Sequence, residues 1–284
     1  MPFADHFCEV DGRRVGYVDQ GEGGVPLVLL HGAGFDHAEL TWRLTFPILA
    51  KTRRVIVPDL PGYGESEGFD GPYDLADLTR WLIAFLDEIG VEQCDISGVS
   101  MGGGAALRLA LDAPEKVRKL VPVCAYGLMD KAPFHELAWA VSRSPAAGLI
   151  YQAAAASPFL TRIGLGASYA DPARVTPDTI AAVQDVARDQ GQRRSADAFF
   201  AREITPTELT GSLIRRLPEI RQPTLFIHGT RDRIVPVRHA KEAVTLVPNS
   251  RLHLMETGHW PMREQPEAFT ERLIRFLDGE DGDD

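Results

Sequence analysis

Along most of the chain, short β-rich or continuously apolar runs alternate with stretches of helical periodicity. Residues 14–18, Arg14-Val15-Gly16-Tyr17-Val18, read as an early strand. Residues 26–30, 54–57, 120–124 and 224–227 are almost unbroken apolar runs, as expected of strands buried on both faces. Between them lie amphipathic segments. In residues 74–89, Leu75, Leu78, Leu82, Phe85, Leu86 and Ile89 recur at helical spacing. In residues 266–277, Phe269, Leu273, Ile274 and Phe276 do the same. Strand and helix in alternation predict an α/β protein, a parallel sheet covered by helices. From about Gly127 to Leu217 the alternation stops. That span is alanine-rich and contains a helix start at Thr176-Pro177-Asp178, where a threonine N-cap precedes proline and an acidic residue. One ordinary crossover needs far fewer residues. Residues 127–217 are therefore expected to form an all-helical cap inserted into a core made of 1–126 and 218–277. Residues 278–284, Asp-Gly-Glu-Asp-Gly-Asp-Asp, read as an acidic, disordered tail.

The 284 residues are 44% hydrophobic and 25% charged, ordinary for a globular protein with one large core. A net charge of -10 argues against nucleic acid as a partner. The N-terminus lacks a basic start followed by an apolar run, and no apolar stretch approaches bilayer length, so neither a signal peptide nor a membrane association is expected. Three widely spaced cysteines, Cys8, Cys94 and Cys124, suit buried thiols in a reducing compartment, and the expected location is cytoplasmic. A homo-oligomer is left open.

Candidate chemistry gathers where predicted strands end. Gly98-Val99-Ser100-Met101-Gly102 follows the run 94–97 and opens a helical stretch, the Gly-x-Ser-x-Gly pattern of a nucleophile elbow. Glycines at the flanks remove side chains that a strained turn cannot hold, leaving Ser100 exposed at a helix N-terminus. His31-Gly32-Ala33-Gly34 follows the strand ending at Leu30. There the Ala33 N–H, with that of Met101, is expected to form an oxyanion hole, while His31 reads as a brace for the loop. Asp232 lies beyond the strand ending at Ile227 and reads as the residue that orients an imidazole, with a surface ion pair to Arg231 or Arg233 as the plainer alternative. His259, in Gly258-His259-Trp260-Pro261, reads as the general base. The order Ser100, Asp232, His259 is that of elbow-bearing hydrolases. Gly34, Phe35 and Trp260 are expected beside substrate, although Trp260 is equally a packing residue beneath the histidine loop. Asp130 is the alternative acid.

With these segments in hand, the chain resembles the α/β-hydrolase fold superfamily over almost its full length. Asp59-Leu60-Pro61-Gly62-Tyr63-Gly64-Glu65-Ser66 is similar to that family's Asp-x-x-Gly-x-Gly-x-Ser loop. The resemblance implies a mostly parallel eight-stranded sheet flanked by helices, with a helical cap. Serine in the elbow sets the chain apart from the haloalkane dehalogenases and epoxide hydrolases of this fold, which use aspartate there. It implies acyl transfer through an acyl-enzyme, with no metal or organic cofactor. The leading expectation is a hydrolase of carboxylic esters, acting on a small to medium, apolar small-molecule substrate. Gly258-His259-Trp260 also looks like the C–C bond hydrolases of meta-cleavage pathways, but those commonly carry asparagine where this chain has Val99, and they use a cap arginine. Arg188, Arg193 and Arg194 lie in about that region, where a solvated helix face is the plainer reading. Cofactor-free haloperoxidases and triad-bearing hormone receptors of this fold are the further alternatives.

Overall fold

The computed structural model describes residues 3–144 and 146–280. Eight strands form one sheet: β1 His6–Val10, β2 Arg13–Gln20, β3 Leu27–Leu30, β4 Val55–Pro58, β5 Cys94–Val99, β6 Val117–Val123, β7 Thr224–Gly229 and β8 Ser250–Met255. Their order across the sheet is β1-β2-β4-β3-β5-β6-β7-β8. The pairings β1 with β2 and β2 with β4 are antiparallel, and all the others are parallel. The chain thus has the α/β-hydrolase fold, an eight-stranded, mostly parallel sheet flanked by helices.

The helices, in chain order, are α1 Ala38–Trp42, α2 Phe46–Leu49, α3 Leu75–Glu88, α4 Met101–Asp112, α5 His135–Ser142, α6 Ala146–Ala156, α7 Pro158–Leu165, α8 Pro177–Arg193, α9 Ser195–Glu203, α10 Arg238–Leu246, α11 Pro261–Glu264 and α12 Pro266–Asp278. The central strands carry apolar runs because both faces are covered. Val28 and Leu30 of β3 enter the core layer beneath α3 and α4, while Leu27 and Leu29 enter the layer beneath α1 and α12. Side chains at period two divide between the faces as strand geometry requires. α3 begins where the sequence places it: Asp74 caps the N–H groups of Ala76 and Asp77, and Asp77 returns a bond to the Asp74 N–H.

Two features depart from the sequence reading. β1 was not foreseen. It joins β2 through Asp11-Gly12, both with positive φ (52° and 74°), the two-residue hairpin turn that Asp-Gly favours. Asp278, assigned above to the acidic tail, is the last residue of α12, and its carboxylate pairs with Arg53 at 2.9 Å. Gly279 follows at φ 78° as a left-handed stop. The remainder of the tail, 281–284, lies outside the described residues.

Helices α5 to α9 all fall between β6 and β7. Thr176 caps α8 by accepting the Thr179 N–H, as its sequence indicates. No helix among the described residues is long and apolar enough to cross a membrane. Residues that follow β3, β5, β6, β7 and β8 share a single cavity with residues of α5 to α9. The site is built there.

Candidate active site

β5 turns into α4 at Ser100, whose backbone takes φ 52° and ψ -118°. A non-glycine residue held there costs about 1–3 kcal/mol and persists only when its surroundings fix it. Here the Ser100 N–H donates to the Val123 carbonyl at 3.0 Å, and its carbonyl accepts from the N–H groups of Gly104 and Tyr126, each at 2.9 Å. The flanking glycines are steric necessities. A Cβ on Gly98 would lie 2.3 Å from the Gly102 carbonyl oxygen, and one on Gly102 would lie 2.5 Å from the His31 carbonyl oxygen. Met101 opens α4, so its N–H has no acceptor within the helix and faces the positive end of the helix dipole.

Asp232 lies three residues beyond β7 with its side chain fully buried. Its Oδ1 accepts the N–H groups of Ile234 (2.8 Å) and Val235 (3.0 Å), and its Oδ2 stands 2.7 Å from His259 Nδ1. Burial works to raise the Asp232 pKa. The charge and hydrogen bond of His259, with His228 and the Val235 N–H, outweigh it and hold the carboxyl below its ordinary value. The surface ion-pair alternative does not fit this geometry. Arg231 pairs with Glu256, and Arg233 donates to the Gly166 carbonyl. An ionised Asp232 fixes the proton of His259 on Nδ1, leaving the Nε2 lone pair free to take one.

The histidine loop is held by contacts that the sequence did not reveal. Glu264, buried in α11, accepts the Gly258 N–H at 2.5 Å and the N–H groups of Ala170 and Asp171, while the His259 N–H donates to the Ser168 carbonyl at 2.6 Å. The helical block and the histidine loop are thereby joined through one carboxylate. Cys124, His228 and Asp232 offer donor atoms within 4.8 Å of one another, a possible cation cluster by composition. Each is already engaged: His228 Nε2 with the Val235 carbonyl at 2.8 Å, Cys124 Sγ with the Gly229 N–H, and Asp232 as above.

Residues 31–36 approach Ser100 from the other side. The Gly32 N–H donates to Asp36 and the Gly34 N–H to the Tyr63 hydroxyl, so Ala33 is presented between two anchored glycines in the cavity wall, as is Met101. His31 is wholly buried, with Nδ1 against the Gly32 carbonyl (2.7 Å) and Nε2 accepting the Leu60 N–H (2.9 Å). This is the bracing arrangement. Burial pushes its pKa down to about 3, so the folded state requires a neutral ring. Because the unfolded ring titrates near ~6.5, His31 stabilises fully above that pH, and its contribution is lost as pH falls toward 3. Burial of Asp36 (raised to about 6) and Asp59 (raised to about 7) acts with the opposite sign, but equally in a variant at position 31. In urea unfolding, the stability advantage of the wild type over His31→Gln should therefore shrink by about 2 kcal/mol between pH 7 and pH 5. An advantage independent of pH would contradict the neutral-histidine brace.

The cavity has a volume of about 800 Å³ and a predominantly apolar lining. Gly34, Phe35 and Trp260 all line it. Phe35 packs against Tyr151, the rings tilted by 46° with centroids 4.7 Å apart. Trp260 packs edge-on against Tyr169 at 5.9 Å and also contributes to the wall. Arg188, Arg193 and Arg194 do not line it. All three are exposed, paired with Asp185, Asp189 and Asp197 respectively, the solvated helix face. Asp130 is exposed and accepts the Ser212 hydroxyl. A buried Glu203 reaches the cavity wall as well, unforeseen from sequence.

This arrangement matches a known family. The family model described as "alpha/beta hydrolase fold" matches residues 25–266. The chain belongs to the alpha/beta hydrolase fold family. It is 32% identical to 2-hydroxymuconate semialdehyde hydrolase of Pseudomonas putida, over 94% of this chain and 91% of that protein. Among solved structures, a meta-cleavage product hydrolase from Pseudomonas fluorescens IP01 superposes with a TM-score of 0.82 at 26% identity, covering 98% of this chain and 99% of that one. Est816, an N-acyl homoserine lactone degrading enzyme, superposes at 0.74 with 26% identity, covering 95% of this chain and 100% of that one. Hydrolases of C–C bonds and of esters or lactones thus both lie among the neighbours of this alpha/beta hydrolase.

Proposed function

We propose that this hydrolase cleaves carboxylic esters of small to medium, largely apolar molecules, with Ser100 as nucleophile and residues 127–217 acting as a cap. The observation that carries the reading is the cavity itself. It is apolar over most of its wall, none of the three candidate arginines from the helical block enters it, and Arg233, the one arginine in its lining, is exposed and donates to the Gly166 carbonyl. An ester needs only an apolar enclosure and a polarised carbonyl. A carboxylate-bearing substrate needs a cation to hold it.

In this mechanism Ser100 Oγ attacks the ester carbonyl carbon while His259 Nε2 takes its proton. The N–H groups of Ala33 and Met101 receive the negative charge that forms on the carbonyl oxygen. His259 then protonates the departing alkoxide, leaving an acyl group on Ser100. Water, deprotonated by the same nitrogen, attacks that acyl group, and as the acyl–Oγ bond breaks His259 returns the proton to Ser100 Oγ and the acid is released. Asp232 keeps the imidazole in the required tautomer and stabilises the cation formed in each half-reaction. No step calls on a cofactor.

A second reading, C–C bond hydrolysis, is favoured by the 32% identity to 2-hydroxymuconate semialdehyde hydrolase. Steady-state assays separate the two. Turnover of p-nitrophenyl esters of two to eight acyl carbons, at a kcat/KM exceeding that for 2-hydroxymuconate semialdehyde about tenfold or more, is the expected result. The reverse preference would establish the C–C reading, and a single burst with no further product would identify a ligand-binding protein instead.

A further inference from the structure

Glu203, the last residue of α9, has a side chain with no solvent exposure, yet it forms part of the cavity wall together with Ser100. Its Oε1 accepts the N–H of Leu75 at 2.5 Å, at the first turn of α3. Its Oε2 accepts the hydroxyls of Tyr126 (2.6 Å) and Thr210 (3.0 Å). All three partners are donors, the pattern that an ionised carboxylate satisfies, and the N-terminus of α3 favours negative charge there. Burial, and next the charge of Glu203, drive the Tyr126 phenol well above its ordinary value. The same Tyr126 donates its backbone N–H to the Ser100 carbonyl, so Glu203 is only one residue removed from the elbow.

The other charged groups of the wall do not offset it. Asp197 pairs with Arg194, and Asp36 is enclosed by its own loop. Arg233 is the single lysine or arginine among the lining residues, and it is exposed and donates to the Gly166 carbonyl. Among the described residues, no cation is found within ion-pair distance of Glu203. A carboxylate in an apolar chamber acts at low effective dielectric, where like charges repel far more strongly than in water.

We infer that Glu203 makes the chamber selective by charge, admitting esters whose acyl and alcohol parts are neutral and rejecting those that carry a carboxylate. This rests on the ester-hydrolase reading and narrows it to a substrate class.

The test uses two matched pairs of esters, so that the charge is presented from either side of the scissile bond. One pair is p-nitrophenyl butyrate and mono-p-nitrophenyl glutarate; the other is phenyl butyrate and 4-(butyryloxy)benzoate. The expected wild-type result is a kcat/KM preference of about 30-fold or more for the neutral member of at least one pair, larger than the same pair shows in hydroxide-catalysed hydrolysis. In Glu203→Gln that ratio should fall about tenfold, read as a ratio within the variant so that any general loss of activity cancels. Equal wild-type rates within both pairs, or a ratio unchanged in the variant, would overturn the inference. If the variant fails to fold, the wild-type ratios, together with competitive inhibition by butyramide against butyrate, decide it: inhibition by the amide alone supports it, and equal inhibition overturns it. Absence of turnover on all four esters would instead remove the underlying ester-hydrolase reading.

Discussion

Ser100→Ala is expected to lower kcat on p-nitrophenyl butyrate by about 10⁴-fold or more, because the residues of such a triad act as a unit. The fold should survive. The serine side chain makes no capping hydrogen bond at the start of α4, and the strained backbone at φ 52° is held by the N–H and carbonyl of residue 100, which alanine retains. Circular dichroism and melting temperature should therefore stay close to wild type while turnover disappears. Activity within tenfold of wild type would place the nucleophile elsewhere. On the proposed mechanism, the small activity left would come from substrate binding in the cavity and from the N–H groups of Ala33 and Met101 acting on the carbonyl.

Asp232→Asn should be almost as damaging, by about 10⁴-fold in kcat. The local hydrogen bonds dictate the reason. Oδ1 is committed to two donors, the N–H groups of Ile234 and Val235. The carbonyl oxygen of asparagine must occupy that position, so its NH₂ group takes the place of Oδ2 and points at His259 Nδ1. The imidazole then accepts at Nδ1 and carries its proton on Nε2, the nitrogen that must be free to deprotonate Ser100. Asparagine is nearly the same size, so stability should change little compared with the loss of rate. Comparing kcat with the unfolding midpoint checks both halves of this expectation. A nearly silent substitution would mean that the imidazole is oriented by some other group. Asp130 is poorly placed for that task, being exposed and engaged by Ser212.

The parts of the fold legible in sequence are those where one local rule dominates. β3 and β4 are covered on both faces, so every residue is apolar, and β7 carries the apolar run Leu225-Phe226-Ile227 for the same reason. α3 carries its own start in the Asp74–Asp77 box and its own face in the leucine spacing. The elbow and the loops after β3, β7 and β8 could be read because close backbone approach demands glycine at fixed offsets, as the crowding at Gly98 and Gly102 makes plain.

What was missed depends on contacts between residues distant in sequence. β1 is a half-exposed edge strand with no continuous apolar run, and its only signal was the Asp11-Gly12 turn. Asp278 reads as tail until Arg53 is seen beside it, across 225 positions. Glu203 reaches Leu75 across 128 positions, and Glu264 reaches Ala170 across 94. An acidic residue near a helix end looks like solvent-facing charge until tertiary structure supplies its donors. The arginines of α8 show the reverse case: the solvated helix face read from sequence is what forms, with Arg188 and Arg193 exposed and paired to Asp185 and Asp189 three and four residues away.

The central claim is that an acyl group passes through Ser100, and it can be weighed directly. Wild-type protein mixed with excess p-nitrophenyl butyrate and quenched with acid during turnover should gain the mass of one butyryl group. Proteolysis should place that group on the peptide containing Gly98-Val99-Ser100-Met101-Gly102, and Ser100→Ala treated in the same way should gain nothing. A butyryl group found on another residue, or an identical adduct on the alanine variant, would contradict the account.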